Sequence, residues 1–205
     1  MMTQQQSRIK ELVSIGIYTA VYFLVVCFST AFLKLTVPIF NSIMIPALNA
    51  LLAGIVYLLV LDKVSRFGAL TTIGSVTGLF FLITGHFPLA FVPGIVFSVL
   101  ADTIQYKTKL PSKAKLYVGY TAFSFGLTGP LLPLWFMKRA YINELASRGK
   151  SQAYIDHVFS AITTTSFVVC MISIIIGGLV GMTIGLKIYA KYFAVQKGSI
   201  DASQD

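Results

Sequence analysis

Hydrophobic residues fill long stretches of the chain, and the charged residues lie between them. Five segments contain no Asp, Glu, Lys or Arg: residues 12–33, 35–61, 67–101, 116–137 and 158–186. A helix needs roughly 20 apolar residues to cross a bilayer. The pattern therefore predicts a protein that passes through a membrane several times.

Proline, glycine and charged residues divide these segments into six helices. The longest segment splits at the sequence TGHFP, because Pro88 can begin a helix but disfavours helical geometry at Phe87. His86 is then expected in a tight turn between the third and fourth helices. We predict an all-α membrane protein with six transmembrane helices in one compact bundle, a single domain over 1–205. Its helices are expected near 12–33, 43–61, 68–84, 88–105, 116–137 and 166–190, with an outer loop over 138–165.

The outer loop has a partly helical period. Ala153, His157 and Ala161 are spaced by four residues, which favours a short amphipathic helix over the outer face. A solvated loop without regular structure is the alternative.

The distribution of lysine and arginine predicts the orientation. Eleven of the 16 basic residues fall on the side of the membrane that holds both termini. Because cytoplasmic segments carry the excess of Lys and Arg, both termini are expected in the cytoplasm. The TGHFP turn and the 138–165 loop then face outward, and the protein is expected in the cell membrane.

Composition agrees with this view. Only 11% of the residues are charged and 56% are hydrophobic, whereas a soluble domain carries about 25% charged residues. The net charge of +9 comes from residues that flank the helices, so we expect no nucleic-acid partner.

The first helix lacks an Ala-x-Ala cleavage site and is interpreted as retained. Cys27 and Cys170 lie inside predicted helices, where a thiol is most often an apolar filler.

Catalytic motifs are missing from the sequence. It contains no HExxH motif, no Gly-x-Ser-x-Gly elbow and no Walker A loop. Asp102 is the one carboxylate inside a predicted helix, and we expect it to contact water at the cytoplasmic end. We therefore predict a non-enzymatic protein without an intrinsic cofactor or metal site. The residues favour a binding module, with a partner-independent small carrier or channel as the alternative.

Small residues recur at helical spacing on two helices. Gly177, Gly181 and Gly185 lie on one face of the last helix, where they allow another backbone to approach closely. Gly16 and Ala20 have the same spacing on the first helix. Packing inside the bundle is the simplest role for both sets.

Three stretches carry a family resemblance. KELVSIGIYTAVYFLV, DKVSRFGALTTIGSVTGLFFLITGHFP and GPLLPLWFM together resemble the Trep_Strep family of integral membrane proteins, over roughly residues 8–190. That family is similar to the substrate-binding S-components of energy-coupling-factor (ECF) transporters. The resemblance implies a subunit that captures a micronutrient at the outer face. Its expected partners are a transmembrane coupling subunit, which Gly16 and Ala20 would contact, and two cytoplasmic ATPases that power transport.

The resemblance also implies where the ligand binds. S-component ligands lie near the outer face, between the last three helices and the outer loops. In this chain that region is predicted to include six candidate binding residues: Asn41, His86, Phe87, Trp135, Tyr141 and His157.

Two ligand classes remain open at this stage. The first is haem or a related tetrapyrrole, with His86 as the axial ligand of the iron and Lys138 and Arg139 near the propionates. The second is a water-soluble vitamin or precursor held by aromatic stacking. His86 has a third interpretation, in which it only stabilises its own turn. A metal ion as the ligand is less expected, since residues 1–11 contain no histidine.

Overall fold

The computed structural model describes residues 2–36 and 41–194, apart from the side chains of residues 2–5, 7, 41, 42 and 194. The described structure is 86% helical and contains no strand. The predicted all-α class is therefore confirmed. Ten helices in the described part are numbered in chain order: α1 Met2–Thr36, α2 Asn41–Leu52, α3 Gly54–Lys63, α4 Ala69–Ile83, α5 Phe91–Lys107, α6 Ser112–Ser124, α7 Leu132–Phe136, α8 Lys138–Ser147, α9 Gln152–Ser160 and α10 Thr164–Tyr189.

Three helices are long and apolar enough to cross a membrane alone: Arg8–Thr36, Pro88–Lys107 and Thr164–Phe193. A fourth crossing is formed if α2 and α3, which meet at an angle of 53°, count as one span. α4 is apolar but has only 15 residues. The chain is an integral membrane protein, and the count of six spans stays a prediction.

Two predicted spans differ from the structure. The 43–61 segment is divided between α2 and α3 at Ala53, and α2 contains Pro46. The 116–137 segment is also broken: α6 ends at Ser124, a 3₁₀ turn covers Phe125–Thr128, and α7 follows. Pro130 and Pro133 follow that turn, and a proline inside a helix removes a backbone donor and clashes with the preceding turn.

The predicted 138–165 loop is largely helical as well. It contains α8 and α9, joined at Gly149, whose φ of 73° belongs to the left-handed region. α9 is the predicted amphipathic helix, but its buried residue is Ile155, while Ala153 and His157 are exposed. The helix is thus present, and the face assigned to it was wrong.

α4 and α5 form a closely packed hairpin. A Cβ added to Gly74 would overlap the Ser98 hydroxyl, and one added to Gly78 would lie 2.7 Å from the Phe91 carbonyl oxygen. Real Cβ atoms do not come this close, so only glycine lets the two backbones approach so far.

α10 packs in parallel against α2 and α3. A Cβ on Gly177 would lie 2.5 Å from the Ala47 carbonyl oxygen. A Cβ on Gly181 would overlap the Ala50 carbonyl oxygen. The Tyr120 hydroxyl of α6 donates to the same Ala50 carbonyl at 2.6 Å, close to the bend between α2 and α3. The last of the three glycines, Gly185, faces Gly54.

The bundle has two ends, the turn end and the lysine end. The turn end holds the connection between α4 and α5 (84–87), together with α8 and α9. The lysine end holds the connections after α3 (64–68) and after α5 (108–111), and α1 joins it through an ion pair between Glu11 and Arg66 at 3.3 Å.

Candidate functional site

The turn end carries a helical cap formed by α8 and α9. Ser151 begins α9 by accepting a hydrogen bond from the Tyr154 backbone N–H at 3.3 Å. Each helix of the cap has a single buried side chain, Leu145 on α8 and Ile155 on α9. The other side chains of the cap are exposed or only partly buried, which is typical of segments that open at low free-energy cost.

Arg148 ties the cap to the turn between α4 and α5. Its Nε and Nη2 atoms donate to one carboxylate oxygen of Glu144, at 3.0 and 2.7 Å, and Nη1 donates to the Gly85 carbonyl oxygen. Gly85 has a φ of 80°, a conformation that side chains other than glycine rarely adopt. Glu144 and Arg148 thus fix the cap over a turn that glycine makes possible.

An aromatic cluster of Phe87, Tyr141 and Phe159 lies where the cap meets the turn. The rings of Phe87 and Tyr141 are stacked, with centroids 5.6 Å apart and planes 20° apart. Phe159 meets Tyr141 edge-on at 6.2 Å, and the Lys138 ammonium lies 5.1 Å from the centre of the Phe159 ring. Phe87 is only 8% exposed. The cluster combines stacked rings with a cation, which suits planar and anionic groups.

Burial raises the pKa of the Tyr141 phenol. Tyr154 and Glu144 raise that pKa further, while the positive charge of Arg148 lowers it. Tyr141 therefore keeps its hydroxyl proton at neutral pH and is available as a hydrogen-bond donor beside the rings.

A small apolar core lies beneath the cluster. Its buried members are Ile43, Leu131, Leu134, Cys170 and Ile174, and Tyr141, Phe159 and Trp135 pack against it. The Trp135 indole N–H donates to the Thr163 carbonyl oxygen at 3.0 Å, and its ring meets Phe167 edge-on. Trp135 thus borders the same core as Tyr141 but is fastened to the start of α10.

His86 is exposed and bonded within its own turn. Its Nδ1 lies 3.1 Å from the Thr84 hydroxyl, and its backbone N–H donates to the Phe81 carbonyl oxygen at 3.1 Å. Partial burial lowers the pKa of the imidazole; the nearby Phe81 carbonyl raises it, and the charge of Arg148 lowers it. The geometry matches a histidine that stabilises its turn.

The six predicted binding residues are therefore divided. Phe87 and Tyr141 come together, Trp135 borders them, and His86 and His157 lie on the exposed surface. Asn41 is the first residue of α2, and its side chain lies outside the described part. Sequence reasoning missed Phe159 and the role of Glu144. The spacing of Glu144 and Arg148, four residues apart with opposite charge, was the available signal for the latter.

Asp102 does not contact water, so the expectation for it was wrong. It is fully buried, and one of its oxygens accepts hydrogen bonds from the backbone N–H groups of Gly68 and Thr71 and from the Thr71 hydroxyl, at 3.0, 2.8 and 2.6 Å. The first N–H groups of a helix have no partner within the helix. Asp102, on the neighbouring α5, supplies the acceptor for these N–H groups at the start of α4.

A second polar region lies deeper in the bundle. The Asn49 side-chain amide donates to the Tyr22 hydroxyl at 3.2 Å. Tyr22 also borders a cavity of about 10 Å³, next to Ser98 and Thr77, which is large enough for about one water molecule. The region is too small for a micronutrient.

The first helix keeps its small residues on the outside. Gly16 and Ala20 are both exposed, and a Cβ added to Gly16 would have no atom within 4 Å. Gly177, Gly181 and Gly185 are buried instead. The two sets of small residues thus differ: the glycines of α10 face α2 and α3, whereas Gly16 and Ala20 are open to a partner or to lipid.

Within the described residues, no three His, Cys, Asp or Glu side chains lie close enough to hold a metal ion.

A family model described as a hypothetical bacterial integral membrane protein (Trep_Strep) matches residues 9–194 of the chain. No curated protein and no solved structure matches it. The family match runs from the first turns of α1 to the π-helical turn after α10, and it includes the cap and the aromatic cluster.

Proposed function

We propose that this chain, which belongs to the Trep_Strep family of bacterial integral membrane proteins, is the substrate-binding S-component of an ECF-type importer. It would act in the cytoplasmic membrane with both termini in the cytoplasm. Its turn end would face outward and capture a micronutrient, and a transmembrane coupling subunit with two ATPases would power the transport.

The observation that carries this proposal is the capped aromatic cluster. Phe87 of the turn stacks on Tyr141 of α8, so the stack joins the bundle to a two-helix cap that has one buried side chain per helix and an arginine tie to the turn. A ligand that displaces this stack would gain aromatic contacts and would be covered by the cap. Such a site needs no catalytic group, in agreement with the sequence.

The charges around the cluster favour a planar anion. The segment from Lys138 to Lys150 carries four basic residues, Lys138, Arg139, Arg148 and Lys150, against one acid, Glu144. Cations bind carboxylates and phosphates through charge-assisted hydrogen bonds. An acidic micronutrient with a flat ring system therefore fits the site best.

Haem or a related tetrapyrrole is the first ligand class to test. Its ring would stack in the aromatic cluster, and its propionates would meet Lys138 and Arg139. His86 would be the axial ligand only if the turn reorients, since the imidazole now points to the surface and pairs with Thr84. This position of His86 favours the second class, a water-soluble vitamin or precursor that binds without it.

An absorbance titration of the purified protein with haem separates the two classes. A saturable Soret shift that is lost in His86→Ala but kept in His157→Ala would support haem with His86 as its ligand. A shift kept in both variants but lost in Tyr141→Ala would support haem held by stacking alone. No shift in any variant would exclude haem and direct ligand tests to acidic vitamins.

Partner dependence tests the transporter class. An S-component co-purifies with a coupling subunit and ATPases and gives no turnover alone. A partner-independent carrier or channel would instead pass substrate across liposomes that contain this chain only. Flux under those conditions would refute the S-component proposal.

A further inference from the structure

A groove on the membrane-facing surface lies between α5, α6 and α10. It has a volume of about 420 Å³ and is lined by Phe97, Leu100, Ile104, Tyr117, Val118, Thr121, Ala122, Phe125, Ile175 and Leu179. From Phe97 to Ile104 the groove follows α5 for about 10 Å at 1.5 Å per residue. The hydrocarbon core of a bilayer is about 30 Å thick, so this length is about two thirds of the depth of one leaflet.

The two limits of the groove are defined by side-chain contacts. Phe97 of α5 and Phe125, after α6, approach with ring centroids 5.5 Å apart at one limit. Tyr117 of α6 and Thr183 of α10 join their hydroxyls at 3.1 Å at the other. The second contact lies toward the lysine end, where α6 begins and α10 ends.

Each of the three helices carries a lysine one turn beyond the groove. Lys107 follows Ile104 by three residues on α5, and Lys187 follows Thr183 by four on α10. Lys113 precedes Tyr117 by four residues on α6. Residues three or four apart share a helix face, so Lys113 and Lys187 continue the lining of the groove at the same end. The Lys107 ammonium lies at this end too, but 5.8 Å from the centre of the Phe67 ring, on the connection between α3 and α4.

Acidic side chains do not offset these lysines on the same helices. α6 and α10 contain no Asp or Glu, and the single acid of α5 is Asp102, which is buried and bonded to the start of α4. Lysine side chains near a membrane surface extend their ammonium groups to the headgroup layer. The groove is thus apolar along its length and positively charged where it reaches the lysine end.

We propose that this groove binds an anionic phospholipid, with one acyl chain along α5 and the headgroup phosphate between Lys113 and Lys187. A basic pocket between membrane helices is a known type of site for such headgroups. The proposal does not rest on the ligand site, because the headgroup end of the groove is at the lysine end; only Phe125, at the other limit of the groove, packs against the core beneath the aromatic cluster.

Native mass spectrometry tests the proposal directly. The full chain in detergent is titrated with phosphatidylglycerol and, separately, with phosphatidylcholine of the same acyl chains. We expect one phosphatidylglycerol to be retained in preference to phosphatidylcholine. In the double variant Lys113→Ala/Lys187→Ala, this preferential binding should weaken about 30-fold, since each lysine near the surface contributes about 1 kcal/mol.

Two further variants make the result specific. Arg8→Ala/Lys10→Ala removes the same charge from exposed positions on α1 at the lysine end and should leave the preference intact. Val118→Trp fills the groove at a residue that is 48% exposed and should reduce binding of both lipids without a change in helix content.

Equal retention of the two lipids, or an equal loss in the α1 double variant, would overturn the proposal. So would unchanged lipid binding in Val118→Trp. If that variant loses a co-purifying membrane subunit while its lipid binding persists, the groove is a helix-docking surface instead.

Discussion

Asp102 holds the start of α4 from the neighbouring helix, and this can be tested by two substitutions. Asp102→Ala leaves three donors on Gly68 and Thr71 without their acceptor. We expect a loss of about 3 kcal/mol in the free energy of unfolding, because buried or partly buried donors are left unpaired. Asp102→Asn keeps an amide oxygen as acceptor and should lose less.

Denaturation in mixed micelles measures the effect. Asp156→Ala is the matched control, because this exposed carboxylate accepts one hydrogen bond from Gln152 within α9. It should change stability by less than about 0.5 kcal/mol. Equal losses in Asp102→Ala and Asp156→Ala would contradict the assigned role.

His86 gives a pH dependence at the turn end. Its pKa is lowered in the folded state, chiefly by burial and also by Arg148. The unfolded chain therefore binds the proton more readily, so stability is complete above a pH of about 6.5 and falls as the pH drops through the lowered pKa. Wild type and His86→Gln should diverge in apparent Tm between neutral and mildly acidic pH.

The histidine of the cap provides the comparison for this pH effect. His157→Gln, at an exposed position of α9, should follow wild type over the same range. If His86→Gln also follows wild type, the turn does not depend on a neutral imidazole.

At the scale of helices, the glycines of α10 set how closely the bundle packs. In Gly181→Ala the new methyl group would overlap the Ala50 carbonyl oxygen, so α10 must move away from α2. Overpacking of this kind costs about 1 to 3 kcal/mol. Gly16→Ala is the control on α1, where an added Cβ meets no atom within 4 Å and alanine favours the helix by up to about 1 kcal/mol. A lower apparent Tm in both variants would refute the contrast.

The attachment of the cap can be tested on its own. Arg148→Ala removes the hydrogen bond to Gly85 and the pair with Glu144. The side chain of Arg148 is 40% exposed, so the loss is about 1 kcal/mol, or about a fivefold increase in cap opening. Amide hydrogen exchange in α8 and α9 should rise accordingly, while exchange in α4 stays unchanged.

Arg139→Ala removes the same charge from the other end of α8, at an exposed position. It should leave the exchange of α9 as in wild type. If both variants accelerate exchange equally, the cap is held by overall charge and not by the contact with the turn.

The helices that sequence predicts best are those with uniform local signals. For α4 the glycine and proline punctuation predicts 68–84, and the helix covers Ala69–Ile83. The breaks at Ala53 and after Ser124 were missed, because both lie inside uncharged runs whose ends alone suggest one span. The break at Ala53 lies next to the bond from Tyr120 to Ala50, a contact from another helix that no local pattern contains. The break after Ser124 precedes Pro130 and Pro133, which were a local signal for it.

The site follows the same rule. Phe87 and Tyr141 could be proposed together because both were expected at the outer face. For His86 the sequence left three interpretations open, and choosing among them requires the geometry of its contact with Thr84 and of the turn at Gly85. The buried Asp102 was also missed, because its partners lie 31 and 34 residues away.

On the scale of the whole molecule, the proposed function assigns different tasks to the turn end and to the surface of α1. In that proposal the turn end would bind and cover the ligand, and the exposed surface of α1 would meet the coupling subunit. Gly16 and Ala20 leave that surface shallow, which matters because helices in lipid associate through close packing more than through the hydrophobic effect. Docking and ligand binding should therefore be separable by mutation.

Ala20→Trp places a large ring on this shallow surface. We expect it to abolish co-purification with the coupling subunit and ATPases while apparent Tm and ligand binding stay as in wild type, because Ala20 is exposed and makes no core contact. Val169→Trp is the control, since Val169 is 47% exposed on α10 and lies outside the proposed interface. A wild-type level of complex in Ala20→Trp would refute the interface on α1. Loss of complex in both variants would mean that any added bulk at the membrane surface prevents assembly, and the interface would then have to be sought by crosslinking along each helix.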